Sequence, residues 1–253
     1  MLEPIPVLLY HSVPRGSGTD ALSVPFERFR SHVEVIRACG RTPISVGELA
    51  DGLRGTAVLP ERAVLVTFDD GHANNRAAVE LLGENALPAT VFVTTGGLES
   101  HGMLSRRDLS ELAGWAHVEV GAHTVNHPRL DELKLAEARA EVTSSRVYLQ
   151  DLLGVEVLSF AYPYGAYDRR VRGIVEEAGF GSAVAVKNAL SHRADDPLAI
   201  ARWTVRGDTS ARCLEAVLAG DGVPLAWRRE RLRTRGYRGA RRLRRRVVGE
   251  VNP

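Results

Sequence analysis

The sequence predicts an α/β protein built as one closed or nearly closed β/α barrel with seven strands. Seven short runs of apolar and β-branched residues alternate with helix-like segments, and strands separated by helices pair in parallel through right-handed crossovers. Polar residues suited to chemistry follow four of these runs, at the face where β/α barrels build active sites. Apolar residues make up 44% of the chain, enough to fill one large core.

The individual elements follow from hydrophobic periodicity and from glycine stops. The predicted strands are Pro6–Tyr10, Ala63–Phe68, Thr90–Val93, Val118–Gly121, Leu158–Tyr162, Gly181–Val186 and Ile200–Val205. The predicted helices cover residues 25–39, 73–86, 105–114, 134–153, 167–178 and 210–219. The longest helix carries apolar and small residues at spacings of three and four, and Gly154 ends it.

The last part of the chain differs in charge from the rest. Residues 228–246 hold eleven arginines and one acid, Glu230, although the whole chain has a net charge of only +2. We therefore divide the chain into a barrel domain over 1–225 and an Arg-rich C-terminal tail over 226–253. The tail is expected to be a solvated basic segment or to attach to an anionic membrane surface or an acidic protein. Nucleic-acid binding is not expected, because nothing else in the sequence indicates a nucleic-acid fold.

Cysteine usage and the N-terminus predict the cellular context. Cys39 and Cys213 lie far apart and form neither a CxxC motif nor a disulfide framework. The N-terminus has no basic start, and Pro4 and Pro6 interrupt its short apolar stretch, which is not typical of a signal peptide. The sequence therefore predicts a cytoplasmic protein, either free or peripheral to a membrane.

Two aspartates and two histidines form the strongest chemical signal. Asp69 and Asp70 follow one predicted strand, and His123 and His127 follow another. Alone, the aspartates could cap a helix and the histidines could be chance neighbours. Together, one aspartate and two histidines suit Zn²⁺ or a similar metal with a position left for water. The second aspartate would then be free to act as a base, and the set indicates a metal-dependent hydrolase.

Three motifs in order resemble those of the polysaccharide deacetylases, the NodB-homology group of carbohydrate esterase family 4. They are Thr-Phe-Asp-Asp-Gly at 67–71, His-Thr-x-x-His-Pro at 123–128 and Phe-Ala-Tyr-Pro-Tyr-Gly at 160–165, within a resemblance that spans about residues 5–220. The resemblance implies a distorted (β/α)7-type barrel that removes an acetyl group from an N-acetylated sugar. It also implies that Asp70, His123 and His127 bind a divalent metal, zinc by default, with Co²⁺, Ni²⁺ or Mn²⁺ as alternatives.

The same resemblance implies the other catalytic groups. Asp69 is similar to the catalytic base of the family, and the backbone N–H of Tyr164 is similar to its oxyanion donor. The chain departs from the family pattern at two places. Ala161 and Tyr162 stand where many members have an arginine before the proline, and no histidine follows His192 to match the late general acid.

Two residues are candidates for these missing groups. The run Leu-Tyr-His-Ser-Val at 9–13 resembles the YHxV-type signature of a branch that includes poly-N-acetylglucosamine deacetylases, in which an N-terminal histidine is the acid. His11 is therefore the predicted acid, the alternative being a histidine satisfied at a strand end. Arg202, on the last predicted strand, would supply the missing positive charge or form a structural ion pair.

The leading hypothesis is an N-deacetylase acting on a polysaccharide, an oligosaccharide or a glycoconjugate. The alternatives are an O-acetyl esterase of the xylan type, a small-molecule amidohydrolase, and a carbohydrate-binding pseudoenzyme that has lost the motif arginine. The presence of both aspartates and both histidines argues against the pseudoenzyme, because a binding protein has no need for all four.

Overall fold

The structure, a computed structural model, describes residues 3–18 and 20–226. Its ten strands are β1 (Pro4–Ile5), β2 (Val7–Tyr10), β3 (Thr42–Pro43), β4 (Ala63–Phe68), β5 (Ala89–Val93), β6 (Val118–Ala122), β7 (Ser159–Ala161), β8 (Ser182–Val186), β9 (Ser191–His192) and β10 (Ile200–Thr204). Its seven α-helices are α1 (Phe26–Ala38), α2 (Val46–Arg54), α3 (Asn75–Glu84), α4 (Arg106–Ala113), α5 (Leu135–Leu153), α6 (Arg169–Glu177) and α7 (Ala211–Ala219). Short 3₁₀ turns cover Thr95–Gly97, Leu130–Glu132 and Pro163–Gly165 in the same described part.

Seven of these strands close into a parallel barrel. The order around the barrel is β2, β4, β5, β6, β7, β8 and β10, and β2 closes the ring by pairing with both β4 and β10. Because all neighbours are parallel, the carboxyl ends of the strands meet at one rim, which we call the catalytic rim. The predicted (β/α)7-type barrel is confirmed, with every predicted strand and helix present and its ends shifted by at most two residues.

The barrel has an apolar interior and an apolar outer layer under the helices. Along β4, Ala63 and Leu65 belong to the interior cluster, whereas Val64, Val66 and Phe68 pack in the layer beneath the helices. Both faces of this strand are therefore covered, and all six of its residues are buried. This explains why the strand is a continuous apolar run rather than an alternating one.

Helix α2 was not predicted from the sequence. It begins with a capping box in which Ser45 and Glu48 bond each other's backbone, and its residue Leu49 packs into the interior cluster. The helix therefore closes the end of the barrel opposite the catalytic rim. Gly47 and Gly52 lie within its nine residues and weaken the helical pattern that periodicity relies on.

Two predictions about the surroundings of the protein are not decided by the fold. Within residues 3–18 and 20–226, no helix is long and apolar enough to cross a membrane. The Arg-rich segment at 228–246 lies outside the described residues. The membrane or protein attachment of the tail and the cytoplasmic location therefore stay predictions.

Candidate active site

The catalytic rim brings side chains from four strand ends together. They are His11 after β2, Asp69 and Asp70 after β4, His123 and His127 after β6, and Arg202 within β10. The parallel barrel explains this meeting, because each strand delivers the residues that follow it to the same rim.

Asp70, His123 and His127 form a possible metal-binding triad. The Oδ1 atom of Asp70 lies 3.6 Å from Nε2 of His123 and 3.5 Å from Nε2 of His127, and the two Nε2 atoms are 3.1 Å apart. Tetrahedral zinc with bonds of about 2.0–2.1 Å has neighbouring ligand atoms about 3.3 Å apart. The spacing therefore fits a metal ion, and no second cluster of this kind occurs among the described residues.

The tautomer of His123 is fixed by the barrel. Its Nδ1–H donates to the carbonyl oxygen of Ala161 at 2.7 Å, so Nε2 directs a lone pair toward the triad. The side chain is only 1% exposed, and this burial lowers the pKa of His123 although the carboxylates of Asp69 and Asp70 oppose the shift. The ring is therefore neutral, as a metal ligand must be.

The backbone around the triad is strained. Asp70, Thr124 and His127 have φ angles of 74°, 66° and 55°, a region that non-glycine residues rarely occupy. Each such residue costs of order 1–3 kcal/mol and persists only where its surroundings hold it. One such contact is local, because the His127 N–H donates to Oγ1 of Thr124 at 3.0 Å.

Glu141 on α5 holds the same loop from outside the barrel, and the sequence did not single it out. Its Oε2 accepts the backbone N–H groups of Val125 and Asn126, both at 2.9 Å, and its Oε1 accepts the side-chain amide of Asn126 at 2.7 Å. On the other side, the N–H of Gly96 donates to the carbonyl of Val125, and a Cβ at this glycine would lie 2.7 Å from that oxygen. The loop that carries His127 is thus fixed from two sides.

Asp69 is paired with Arg202 inside the barrel. Arg202 Nη1 donates to Oδ1 and Nη2 donates to Oδ2, each at 2.6 Å, and the two side chains are 0% and 3% exposed. Burial alone would raise the pKa of Asp69, but the charges of Arg202 and then His123 outweigh it and hold that pKa below its ordinary value. Asp69 is therefore ionised, and its Oδ2 lies 3.6 Å from Nε2 of His123.

Ala161 and Phe92 both belong to the interior cluster of the barrel, and the guanidinium of Arg202 lies 5.4 Å from the centre of the Phe92 ring. The interior therefore holds an alanine at position 161 and an arginine that comes from β10.

His11 and His72 are the two other imidazoles at the rim. The Nδ1 atom of His11 is buried and has no hydrogen-bond partner among the described residues. Burial lowers the pKa of His11, and the nearby carboxylates of Asp69 and Asp70 oppose that shift. His72 places Nε2 3.5 Å from Oδ2 of Asp70.

Tyr164 lies where β7 ends, in the turn Pro163–Gly165. Its φ of 58° is again unusual for a non-glycine residue. Its ring centre is 4.6 Å from that of His127, and the residue is 55% exposed. The turn therefore brings the ring of Tyr164 against His127 of the triad and leaves the residue partly exposed.

The chain is similar in sequence to known deacetylases. A family model described as polysaccharide deacetylase matches residues 57–183. The putative polysaccharide deacetylase YxkH of Bacillus subtilis is 24% identical over 215 residues, which are 85% of this chain and 76% of that protein. A chitooligosaccharide deacetylase of Azorhizobium caulinodans is 30% identical over 122 residues, which are 47% of this chain and 56% of that protein.

Solved structures share the fold. The Streptococcus pyogenes deacetylase PplD in complex with acetate superposes with a TM-score of 0.77 at 23% identity, over 85% of this chain and 97% of that one. IcaB from Ammonifex degensii superposes with a TM-score of 0.74, also at 23% identity and with the same coverage. These similarities establish the architecture of the barrel.

Proposed function

We propose that this chain, which belongs to the polysaccharide deacetylase family, removes acetyl groups from N-acetylated sugars in a metal-dependent reaction. The observation that carries the proposal is the position of an ionised, arginine-paired Asp69 next to three side chains spaced as metal ligands. A sugar amide is preferred as the substrate because the relative from Azorhizobium caulinodans is named a chitooligosaccharide deacetylase.

Asp70, His123 and His127 would hold the metal in this proposal. Zinc is the first choice because two imidazoles and one carboxylate suit it, and Co²⁺, Ni²⁺ and Mn²⁺ suit the same donors. When bound, such an ion polarises an acyl oxygen and lowers the pKa of a water from about 15.7 to about 7.

Asp69 is proposed as the base that takes a proton from the attacking water. Its lowered pKa supports this role, because a carboxylate must be ionised to accept a proton. Arg202 would act as a positioning residue. Its two hydrogen bonds keep Asp69 ionised in a buried site and fix the plane of the carboxylate.

Two further groups complete the proposed reaction. The backbone N–H of Tyr164 would donate a hydrogen bond to the acyl oxygen as it gains negative charge. His11 would give a proton to the leaving nitrogen, since an amine leaves poorly unless it is protonated. The support for His11 is a buried ring atom with no partner in the described part of the chain, near both aspartates.

Acetate release from matched substrates tests the proposal. Zinc-loaded protein is assayed on N-acetylglucosamine oligomers, on acetylated xylan and on a simple N-acetylated amino acid. We expect acetate from the sugar amides. Release from xylan alone would indicate the esterase, and release from the amino acid alone would indicate the amidohydrolase. Bound zinc without turnover on any substrate would contradict the proposed activity and favour the pseudoenzyme.

A further inference from the structure

A guanidinium at the catalytic rim has no part in the reaction proposed above. The Cζ atom of Arg129 lies 4.3 Å from the centre of the Tyr164 ring. The centre of the His127 ring lies 4.6 Å from the centre of the same tyrosine ring. Arg129 and the possible metal ligand His127 therefore both contact the partly exposed ring of Tyr164, Arg129 over its face and His127 edge-on.

The hydrogen-bond donors of Arg129 are not used by the described residues. Other arginines of the barrel donate to acids, as Arg76 does to Glu111 and Arg172 does to Asp196. Within residues 3–18 and 20–226, no carboxylate lies within ion-pair distance of Arg129, and its guanidinium instead contacts the ring of Tyr164. Stacking occupies the face of a guanidinium and leaves the donors in its plane available.

The contact with Tyr164 relates this guanidinium to the substrate. In the proposed reaction, the acetyl group binds between the triad and the backbone N–H of Tyr164. Arg129 contacts the side chain of that same tyrosine, so its guanidinium lies close to the place proposed for the acetyl group. The part of the substrate best placed to reach Arg129 is therefore a group attached to the sugar close to its acetamido group.

We propose that Arg129 is a specificity-determining residue, which binds a carboxylate carried by the N-acetylated sugar beside its acetamido group. The planar fork of a guanidinium matches a carboxylate, with two parallel charge-assisted hydrogen bonds. The chain would thus act on anionic N-acetylated sugars in preference to neutral ones. This inference rests on the proposed function, because that function places the acetyl group beside Tyr164.

The test uses one sugar with and without its charge. The probes are the methyl glycoside of N-acetylmuramic acid, which carries a lactyl carboxylate next to the acetamido group, and the methyl ester of the same compound. Acetate release gives kcat/KM for each. Because charge-assisted hydrogen bonds to a carboxylate are stronger than neutral ones, we expect the acid to be preferred by about tenfold or more.

Variants of Arg129 then test whether this residue causes the preference for the acid over its methyl ester. Arg129→Gln should bring the ratio of the two kcat/KM values close to one by lowering the value for the acid. Arg129→Lys should keep part of the preference, because it retains the charge and loses the fork. Arg37→Gln, an exposed site in the last turn of α1 at the opposite end of the barrel, removes the same charge and should leave the ratio unchanged.

Two outcomes would overturn the inference. One is wild-type protein that does not distinguish the acid from its ester. The other is an equal loss on both substrates in Arg129→Gln, which would show that the guanidinium only braces the Tyr164 ring.

Binding measurements separate this inference from the proposed reaction. If neither compound releases acetate, the reaction is wrong for these sugars. Calorimetric titration of both compounds into wild type and Arg129→Gln still tests Arg129. Tighter binding of the acid that is lost in the variant would support the carboxylate site, and equal binding of acid and ester would overturn it.

Discussion

Arg202 and Asp69 form a buried, two-pronged ion pair across 133 positions of sequence. Arg202 comes from the last barrel strand and Asp69 follows the second, and each of the two hydrogen bonds measures 2.6 Å. The pair joins the proposed base to β10, the last strand of the barrel. Removal of either partner would leave the other as an uncompensated charge in the interior.

Arg202→Met should therefore impair both stability and turnover. Breaking a buried pair by removing one partner costs about 3–5 kcal/mol, which urea unfolding would measure. Without the guanidinium, burial would raise the pKa of Asp69 and lower the fraction of this carboxyl group that is ionised at neutral pH. Acetate release should therefore fall about a hundredfold or more.

The double variant Asp69→Leu/Arg202→Met is the control for that experiment. Apolar residues of similar volume can replace a buried ion pair without loss of stability, so the double variant should recover most of the unfolding free energy. It should release no acetate. A single variant Arg202→Met with wild-type stability and turnover would contradict the role of the pair.

His11→Ala should affect an amide more strongly than an activated ester. The proposed acid protonates a leaving amine, whereas the leaving group of an aryl acetate needs little protonation. We expect kcat on an N-acetylglucosamine oligomer to fall about a hundredfold or more and kcat on the aryl ester to change far less. Steady-state kinetics on both substrates measures this, and equal losses would count against an acid role.

Glu141→Ala should weaken metal binding without touching a ligand. The carboxylate holds the loop between His123 and His127 through three hydrogen bonds, and loss of such outer partners typically costs about 10–100-fold in metal affinity. Glu141→Gln, which keeps an oxygen for the two backbone donors, should lose less. Competition with a chelating dye would give the zinc affinity of each.

Glu137→Ala is the matched control on the same helix. Glu137 bonds the backbone of Lys134 at the start of α5 and does not contact the loop donors that Glu141 holds. Its replacement should leave the zinc affinity unchanged. A similar loss of affinity in both variants would show that general weakening of α5 is responsible.

His32 should make stability depend on pH through a buried, neutral imidazole. Its Nε2–H donates to the carbonyl of Thr209, and its Nδ1 accepts from the hydroxyl of Tyr10. Burial lowers the pKa of His32 in the folded state, whereas the unfolded value is about 6.5. Below about pH 6.5 the unfolded chain binds the proton more readily, so the free energy of unfolding falls as the pH drops.

Urea unfolding of wild type and His32→Gln at several pH values would measure this effect. The stability advantage of the wild type should be largest at pH 7.5 and should shrink toward pH 5, by no more than about 1.4 kcal/mol per pH unit. A stability difference between wild type and His32→Gln that stays constant over this pH range would disprove the assignment.

The strands were predictable because a parallel barrel buries both of their faces. A run such as Ala63–Phe68 is apolar throughout, and the polar residues that follow it reach the rim by topology alone. Helix α2 escaped prediction since it is short and contains two glycines. The two-residue strands β1, β3 and β9 depend on pairing with distant partners, which local sequence does not encode.

The candidate site also contains residues that the sequence predicts and residues that it does not. Motif residues such as Asp69 and His123 follow strands directly and were found from their spacing. Arg202 was proposed because Ala161 lacks the expected charge, and its contact with Asp69 required the closed barrel. Glu141 contacts Val125 from helix α5, and Arg129 contacts the ring of Tyr164. Because both contacts join segments that are separated in the sequence, no local pattern predicts them.

The most direct test of the central claim is acetate release by metal-free and zinc-restored protein, with zinc content measured on the same samples. For the wild type on N-acetylglucosamine oligomers, we expect activity to vanish after chelation and to return with about one zinc per chain. Asp69→Asn should bind that zinc and release no acetate, whereas Asp70→Asn should bind it poorly. Acetate release that persists after complete metal removal, or Asp69→Asn that loses the zinc, would contradict the account.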